Sequence, residues 1–151
     1  MKIKSTKLVI LALLIIFTVP LVSLNSCLSR EEETSSPENP QIIEDINLEE
    51  AYALIVDNLG NPDFIIIDLR TWEEYKSGHI EKAINLDYES ADFADELNEL
   101  DKDKAYLIYG QTDQLSGKAL DMMAELGFAE VYNLLGGIAH WEQVGLATTV
   151  E

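Results

Sequence analysis

The stretch that decides the fold is AYLIYGQTDQLSGKALDMMAELGF, residues 105–128. Its first five residues are apolar or aromatic without interruption, which is typical of a strand buried on both faces of a parallel sheet. Residues 110–114 form a polar loop. The helix that follows has an apolar face at helical spacing, formed by Leu115, Ala119, Met122, Met123 and Leu126. Gly127 ends this helix as a C-terminal cap would. A strand, a loop and a helix in this order predict a ligand position at the carboxyl end of the strand.

Short apolar runs alternate with helical stretches on both sides of this unit. Further strands are predicted at residues 42–43, 64–67, 83–86 and 131–134. Further helices are predicted at residues 48–59, 71–75, 89–100 and 138–144. The first of these helices opens with Asn47 and Glu50 as a capping box, and its apolar residues include Tyr52, Val56 and Leu59. The pattern predicts an α/β fold, a doubly wound parallel sheet of about five strands with helices on both faces.

Charge and cysteine content exclude some classes of function. The chain has 28 Asp and Glu residues against 10 Lys and Arg residues, a net charge of -18. Such a surface repels phosphate backbones, so we expect no nucleic-acid partner. The single cysteine cannot form an internal disulfide. No pair of side chains at ligand spacing suggests a metal site, and no nucleotide-binding glycine motif is present, so no metal or cofactor is expected.

The first 27 residues have the pattern of an export signal. Residues 1–7 are basic, residues 8–22 are almost wholly apolar, and residues 24–27 (Leu-Asn-Ser-Cys) resemble a bacterial lipobox. The resemblance implies that Cys27 is acylated and becomes the mature N-terminus. Asn25 departs from the usual residue of that motif, and the alternative is an uncleaved membrane anchor with a free thiol. We predict a lipoprotein-type signal peptide at residues 1–26, a flexible polar linker at 27–40 and a folded domain at 41–151.

Three separated motifs resemble those of the rhodanese superfamily. The first comprises IDLRT (residues 67–71), EEY (73–75), GHI (78–80) and AIN (83–85). The second comprises the strand 106–109 and SGKA (116–119). The third comprises LGF (126–128), VYNL (131–134), the glycine pair 136–137 and Trp141. Because the motifs occur in the right order, residues 41–151 are identified as a single rhodanese-like domain.

The resemblance also shows where this sequence departs from active members. In those, the residue directly after the strand 105–109 is a nucleophilic cysteine, held over a helix N-terminus whose amides stabilise a thiolate and its persulfide. Here that residue is Gly110. The rest of the loop consists of Gln111, Thr112, Asp113, Gln114 and Leu115. It lacks the basic and glycine residues usual in such loops, and Asp113 adds negative charge. We therefore expect impaired anion binding and no thiosulfate sulfurtransferase activity.

Substitutes for the missing nucleophile are weak candidates. Thr112 or Asp113 would need an activating base, and the nearest basic residue in the sequence is Lys118. Cys27 is the only thiol, and acylation would consume it. The resemblance implies that Asp68, Arg70 and His79 support the pocket through hydrogen bonds rather than contact a substrate.

Two functions remain open from the sequence. The first is a catalytically inactive binding module, exported and lipid-anchored to the outer face of the cytoplasmic membrane, which recognises an unknown protein or small-molecule ligand. The alternative is a sulfurtransferase-related enzyme or sulfur-carrier accessory that relies on an external thiol.

Overall fold

A five-stranded parallel sheet forms the centre of residues 40–150, the part of the chain that the computed structural model describes. The strand order is β1-β5-β4-β2-β3, and every pair of neighbours in it is parallel. The strands are β1 (Ile42–Ile46), β2 (Phe64–Asp68), β3 (Ile84–Asn85), β4 (Ala105–Tyr109) and β5 (Glu130–Leu134). The helices are α1 (Leu48–Asp57), α2 (Trp72–Ser77), α3 (Phe93–Glu99), α4 (Asp113–Glu125) and α5 (Gly137–Gln143). The predicted α/β fold is confirmed.

The central strand β4 separates two apolar cores. Tyr106 and Ile108 belong to a cluster with side chains of α3 and α4, such as Leu97. Leu107 and Tyr109 belong to a second cluster with side chains of α1, α2 and α5. Because successive strand residues point to opposite faces, an uninterrupted apolar run is what a strand covered by helices on both faces requires.

Tyr106 makes the stability of this core sensitive to high pH. Its hydroxyl donates to the carbonyl of Asp101 over 2.6 Å. Burial, together with the charge of Asp101, raises the pKa of Tyr106 from 10.0 to about 12. Because the pKa is higher in the folded state, the free energy of unfolding is unaffected below pH 10 and falls as the pH rises towards 12.

We expect Tyr106→Phe to lose less stability than the native chain between about pH 8 and about pH 11, because the substitution removes this titration. Urea midpoints at the two pH values measure the effect. Tyr52→Phe is the control, since the Tyr52 side chain is exposed. Equal losses in the two variants would contradict the prediction.

Two predicted helix starts were wrong by two residues or more, and α1 and α2 end at Asp57 and Ser77 rather than at residues 59 and 75. The helix expected at 89–100 begins at Phe93, because turn-forming side chains bind the backbone before it: the Glu89 N–H donates to Asp87 and the Asp92 N–H to Ser90. Helix α4 begins at Asp113, so the loop after β4 is only Gly110–Thr112 rather than residues 110–114.

The apolar face of α1 is wider than the part of it that packs against the sheet. Ala51 is buried, whereas Tyr52, Val56 and Leu59, which lies two residues after the end of α1, are exposed. Helical spacing predicts that these residues share one side of the helix, but it does not reveal how much of that side has a covering partner.

The buried residues of both cores all lie between Ile46 and Trp141, and every strand pairs within the described part of the chain. A chain that begins at residue 28 retains all of these contacts, so it contains the whole sheet and both cores of the described residues. Within residues 40–150, no helix has the length and apolar character needed to cross a bilayer. The predicted signal peptide, Cys27 and the predicted linker up to residue 39 lie outside the described residues.

Candidate functional site

The loop singled out by the sequence lies at the carboxyl end of the central strand, between β4 and α4. Gly110 is buried, the next four residues are exposed, and Leu115 is partly buried. This is the position where open parallel sheets place ligands.

No side chain fits at Gly110 without a change in the loop. A Cβ atom built there would lie 2.9 Å from the carbonyl oxygen of Thr112 and 3.8 Å from Leu115 Cβ and Ser116 N. Because the closest atom belongs to the backbone, it cannot move as the end of a flexible side chain would. The loop therefore directs a carbonyl oxygen at the space where a side chain of residue 110 would begin.

Helix α5 holds the loop from the other side. The Ile138 N–H donates to the carbonyl of Gly110 over 3.0 Å, and the Ala139 N–H donates to the carbonyl of Gln111 over 3.2 Å. Gly137 makes this approach possible: its φ is +58°, and a Cβ there would overlap the carbonyl oxygen of Gly110. The glycine pair expected as a turn thus also brings the amides of α5 to the loop.

The start of α4 carries a negative charge in its first turn and a buried hydroxyl one turn later. Thr112 is the N-cap residue, but its side chain makes no capping hydrogen bond. Asp113 lies in the first turn, where its negative charge interacts favourably with the helix dipole and lowers the positive potential left for a ligand. The Ser116 hydroxyl is buried without a hydrogen-bond partner in the described part of the chain.

Asp68 and Arg70 form a buried ion pair after strand β2. An Arg70 terminal nitrogen lies 2.6 Å from Asp68 Oδ2, and the Arg70 Nε lies 3.0 Å from Asp68 Oδ1. The same terminal nitrogen donates to the carbonyl of Gly78 over 2.6 Å. Burial alone would lower the pKa of Arg70, but the hydrogen bond and the charge of Asp68 raise it overall. The pair joins the end of β2 to the turn that follows α2.

Tyr109 and His79 complete this buried cluster. The Tyr109 hydroxyl accepts from the Ile80 N–H over 3.1 Å, and burial followed by the charge of Asp68 raises the pKa of Tyr109. His79 Nδ1 lies 2.9 Å from the carbonyl of Tyr75, and the two rings stack with centroids 3.8 Å apart. His79 thus has bonding partners of its own inside the fold.

The structure brings Asp68, Arg70 and His79 into one neighbourhood, but none of their side-chain hydrogen bonds within residues 40–150 reaches residues 110–115. Their predicted support of the loop pocket stays a prediction. Sequence reasoning missed Tyr109 as a member of the cluster, although a tyrosine as the last residue of a buried strand is a signal for a hydroxyl that needs a partner. Residues 40–150 contain no group of three side chains placed to hold a metal ion.

A family model described as "Rhodanese-like domain" matches residues 49–144, more than half of the chain. The chain belongs to the rhodanese-like family. The motifs around Asp68, His79 and Gly110 all lie within the matched segment.

Known proteins match this chain to different extents. The thiosulfate sulfurtransferase GlpE of Coxiella burnetii is 32% identical over 80 residues, which are 53% of this chain and 73% of that protein. A tRNA uridine(34) hydroxylase of Cytophaga hutchinsonii is 35% identical over 79 residues, but the match covers only 25% of the hydroxylase. The crystal structure of the Alr3790 protein from Anabaena has a TM-score of 0.58 and 30% identity, covering 72% of this chain and 82% of that one.

Proposed function

We propose that this chain is a non-catalytic rhodanese-like binding module, tethered to the outer face of the cytoplasmic membrane through Cys27. The single observation that carries the proposal is Gly110 at the end of β4, where the family resemblance places the nucleophilic cysteine. The only cysteine in the sequence is Cys27. A chain of residues 28–151 therefore has no thiol that could carry a persulfide.

The geometry of the loop supports the same proposal independently of the missing thiol. A nucleophile at residue 110 needs a Cβ, and the Thr112 carbonyl lies 2.9 Å from that point. A carbonyl oxygen repels a thiolate or a transferred anionic group, whereas an anion cradle requires N–H groups aimed at the site. Asp113 adds a negative charge on the first turn of α4.

We expect Gly110→Cys in the 28–151 chain to give no persulfide with thiosulfate and no turnover above a heat-killed control. The reason is that the Cβ of the new side chain would lie 2.9 Å from the Thr112 carbonyl oxygen, so the loop must shift before the thiol can be accommodated. Intact-protein mass spectrometry and a thiocyanate assay measure the two results. The overpacked loop should also lose about 1–3 kcal/mol of stability.

Gly117→Cys is the matched control for this experiment. A Cβ at Gly117 meets no atom within 4 Å, so the control adds the same thiol in the second turn of α4 without a clash. Turnover by the native 28–151 chain would contradict the absence of catalysis. A persulfide on the Gly110→Cys variant but not on the Gly117→Cys variant would contradict the proposed loss of the anion site, since it would show that the loop still stabilises an anion there.

The proposed tether has its own test. Cells expressing the full chain and fed a labelled fatty acid should incorporate the label, and Cys27→Ser should abolish incorporation because it removes the only acyl acceptor of this type. The location of the protein before and after protease treatment of intact cells reports on which side of the membrane the domain lies. Label retained by the Cys27→Ser protein would exclude a lipid anchor at this residue.

A further inference from the structure

A large cavity lies away from the loop, on the face of the sheet covered by α1 and α5. Its volume is about 700 Å³, within the range of roughly 300–1,000 Å³ typical of small-molecule sites. The wall is mainly apolar and includes Tyr52, Ile55, Val56, Phe64 and Trp141. Residues 110–115 do not line it. The cavity is thus separate from the site that the family resemblance indicates.

The exposed side of α1 forms part of this wall. Tyr52 and Val56 of α1, together with Leu59 just after it, are left uncovered by the sheet, and all three line the cavity. The Trp141 ring lies 6.2 Å from that of Tyr52, and its indole N–H is already bonded to the carbonyl of Ala147. The apolar wall can therefore contact a hydrocarbon or aromatic ligand. The Trp141 indole N–H needs no hydrogen-bond acceptor from that ligand.

Lys82 is a basic residue among those that line this cavity. It is the third residue of the turn Ile80–Ala83, which is closed by a hydrogen bond from the Ala83 N–H to the Ile80 carbonyl. Its φ is +68°, the only positive φ of a non-glycine residue within residues 40–150. A type II turn favours glycine at this position, so a lysine there carries backbone strain.

The Lys82 ammonium has no ion pair or hydrogen bond to any of the described residues. Three other lysines of the domain have partners: Lys76 lies over Trp72, Lys102 bonds Asn98, and Lys104 pairs with Asp63. Lys118 in α4 resembles Lys82 in having no such partner among the described residues, but it does not line the cavity. An unpaired cation beside an apolar cavity is complementary to an anionic head group at short range, where it acts against the repulsion from the net charge of -18.

We propose that this cavity binds a small amphipathic carboxylate, with its apolar body between α1 and Trp141 and its carboxylate at Lys82. The proposal goes beyond the non-catalytic module, and it concerns a different surface from the loop at Gly110. Glu81 also lines the cavity, so the experiment must show whether the site prefers an anionic or a cationic head group.

The experiment uses the 28–151 chain with Trp72→Phe, so that Trp141 is the only tryptophan. Trp72 is exposed and does not line the cavity. Hexanoate, octanoate and decanoate are titrated into the protein, and the fluorescence of Trp141 measures binding. Octan-1-ol and octylammonium serve as neutral and cationic probes of the same chain length as octanoate. Each added methylene should strengthen carboxylate binding about fourfold until the cavity is full. Octanoate should bind more tightly than either of the other eight-carbon probes.

Lys82→Gly separates the cation from the fold. Glycine is favoured at a φ of +68°, so this variant should unfold at a urea concentration no lower than the parent. It should bind octanoate about fivefold more weakly, as expected for loss of a solvent-exposed ion pair, and octan-1-ol with unchanged affinity. Glu81→Gln, which removes the neighbouring charge, should not weaken octanoate binding. Leu59→Glu, at an exposed position of the wall, should weaken it, whereas Leu135→Glu outside the cavity should not.

Several results would overturn the proposal. They are the absence of saturable binding by all three carboxylates, tighter binding of octylammonium than of octanoate, and octanoate affinity unchanged in Lys82→Gly. A dimer in sedimentation that Leu59→Glu dissociates would make a second copy the occupant. Octanoate affinity at least tenfold higher in a chain starting at Pro40 would make residues 28–39 the occupant. None of these results depends on whether residue 110 supports catalysis.

Discussion

Asp68→Ala is expected to destabilise the fold by about 3–5 kcal/mol, the usual cost of removing one partner from a buried ion pair. Asp68 is completely buried and bonds Arg70 through both carboxylate oxygens. Without it, the guanidinium keeps the carbonyl of Gly78 as a hydrogen-bond partner and the Tyr109 ring at 6.0 Å, in a site where Arg70 is only 6% exposed. Urea unfolding of the 28–151 chain, followed by circular dichroism, measures the change.

Asp63→Ala is the matched control for Asp68→Ala. Asp63 also faces a basic residue, but its distance to Lys104 is 3.7 Å and 73% of its side chain is exposed. Such a pair contributes about 1 kcal/mol at most. The double variant Asp68→Ala with Arg70→Met should be more stable than Asp68→Ala alone, since it removes the unpaired charge. Equal losses from Asp68→Ala and Asp63→Ala would show that the buried pair has no special role.

Gly137→Ala should destabilise the fold by about 3 kcal/mol, from the left-handed backbone and the overlap with the loop together. The added methyl would overlap the carbonyl oxygen of Gly110 and lie 2.8 Å from the carbonyl group of Gln111. The amides of Ile138 and Ala139 would then be displaced from the loop carbonyls that they bind. Urea midpoints and amide hydrogen exchange at residues 138 and 139 measure both consequences.

Gly145→Ala isolates the contribution of the backbone conformation. Its φ is +82°, but a Cβ there meets no atom within 4 Å. The loss should therefore be about 1 kcal/mol, from the left-handed conformation alone. If Gly137→Ala lowers the free energy of unfolding no more than Gly145→Ala does, then the close approach of α5 to the loop does not exclude a side chain at residue 137.

The order and type of the elements could be predicted because they depend on local periodicity. The apolar run at residues 105–109 is the central strand, and the capping box of Asn47 and Glu50 opens α1 as expected. The boundaries were less accurate, since Ser90 and Asp87 bind nearby amides and delay the start of α3 until Phe93. A few hydrogen bonds decide whether such residues form a turn or the first turn of a helix, and the spacing of apolar residues does not reveal them.

The sequence by itself determined the fold class, the family motifs and the identity of residue 110, because these depend on local patterns or on single residues. Only the tertiary structure placed the Thr112 carbonyl against Gly110 and brought the amides of α5 to the loop. It also joined the uncovered side of α1, Trp141 and the strained Lys82 around one cavity. These arrangements join residues far apart in the chain, and their distances are set by how helices pack on the sheet rather than by the spacing of residues along it.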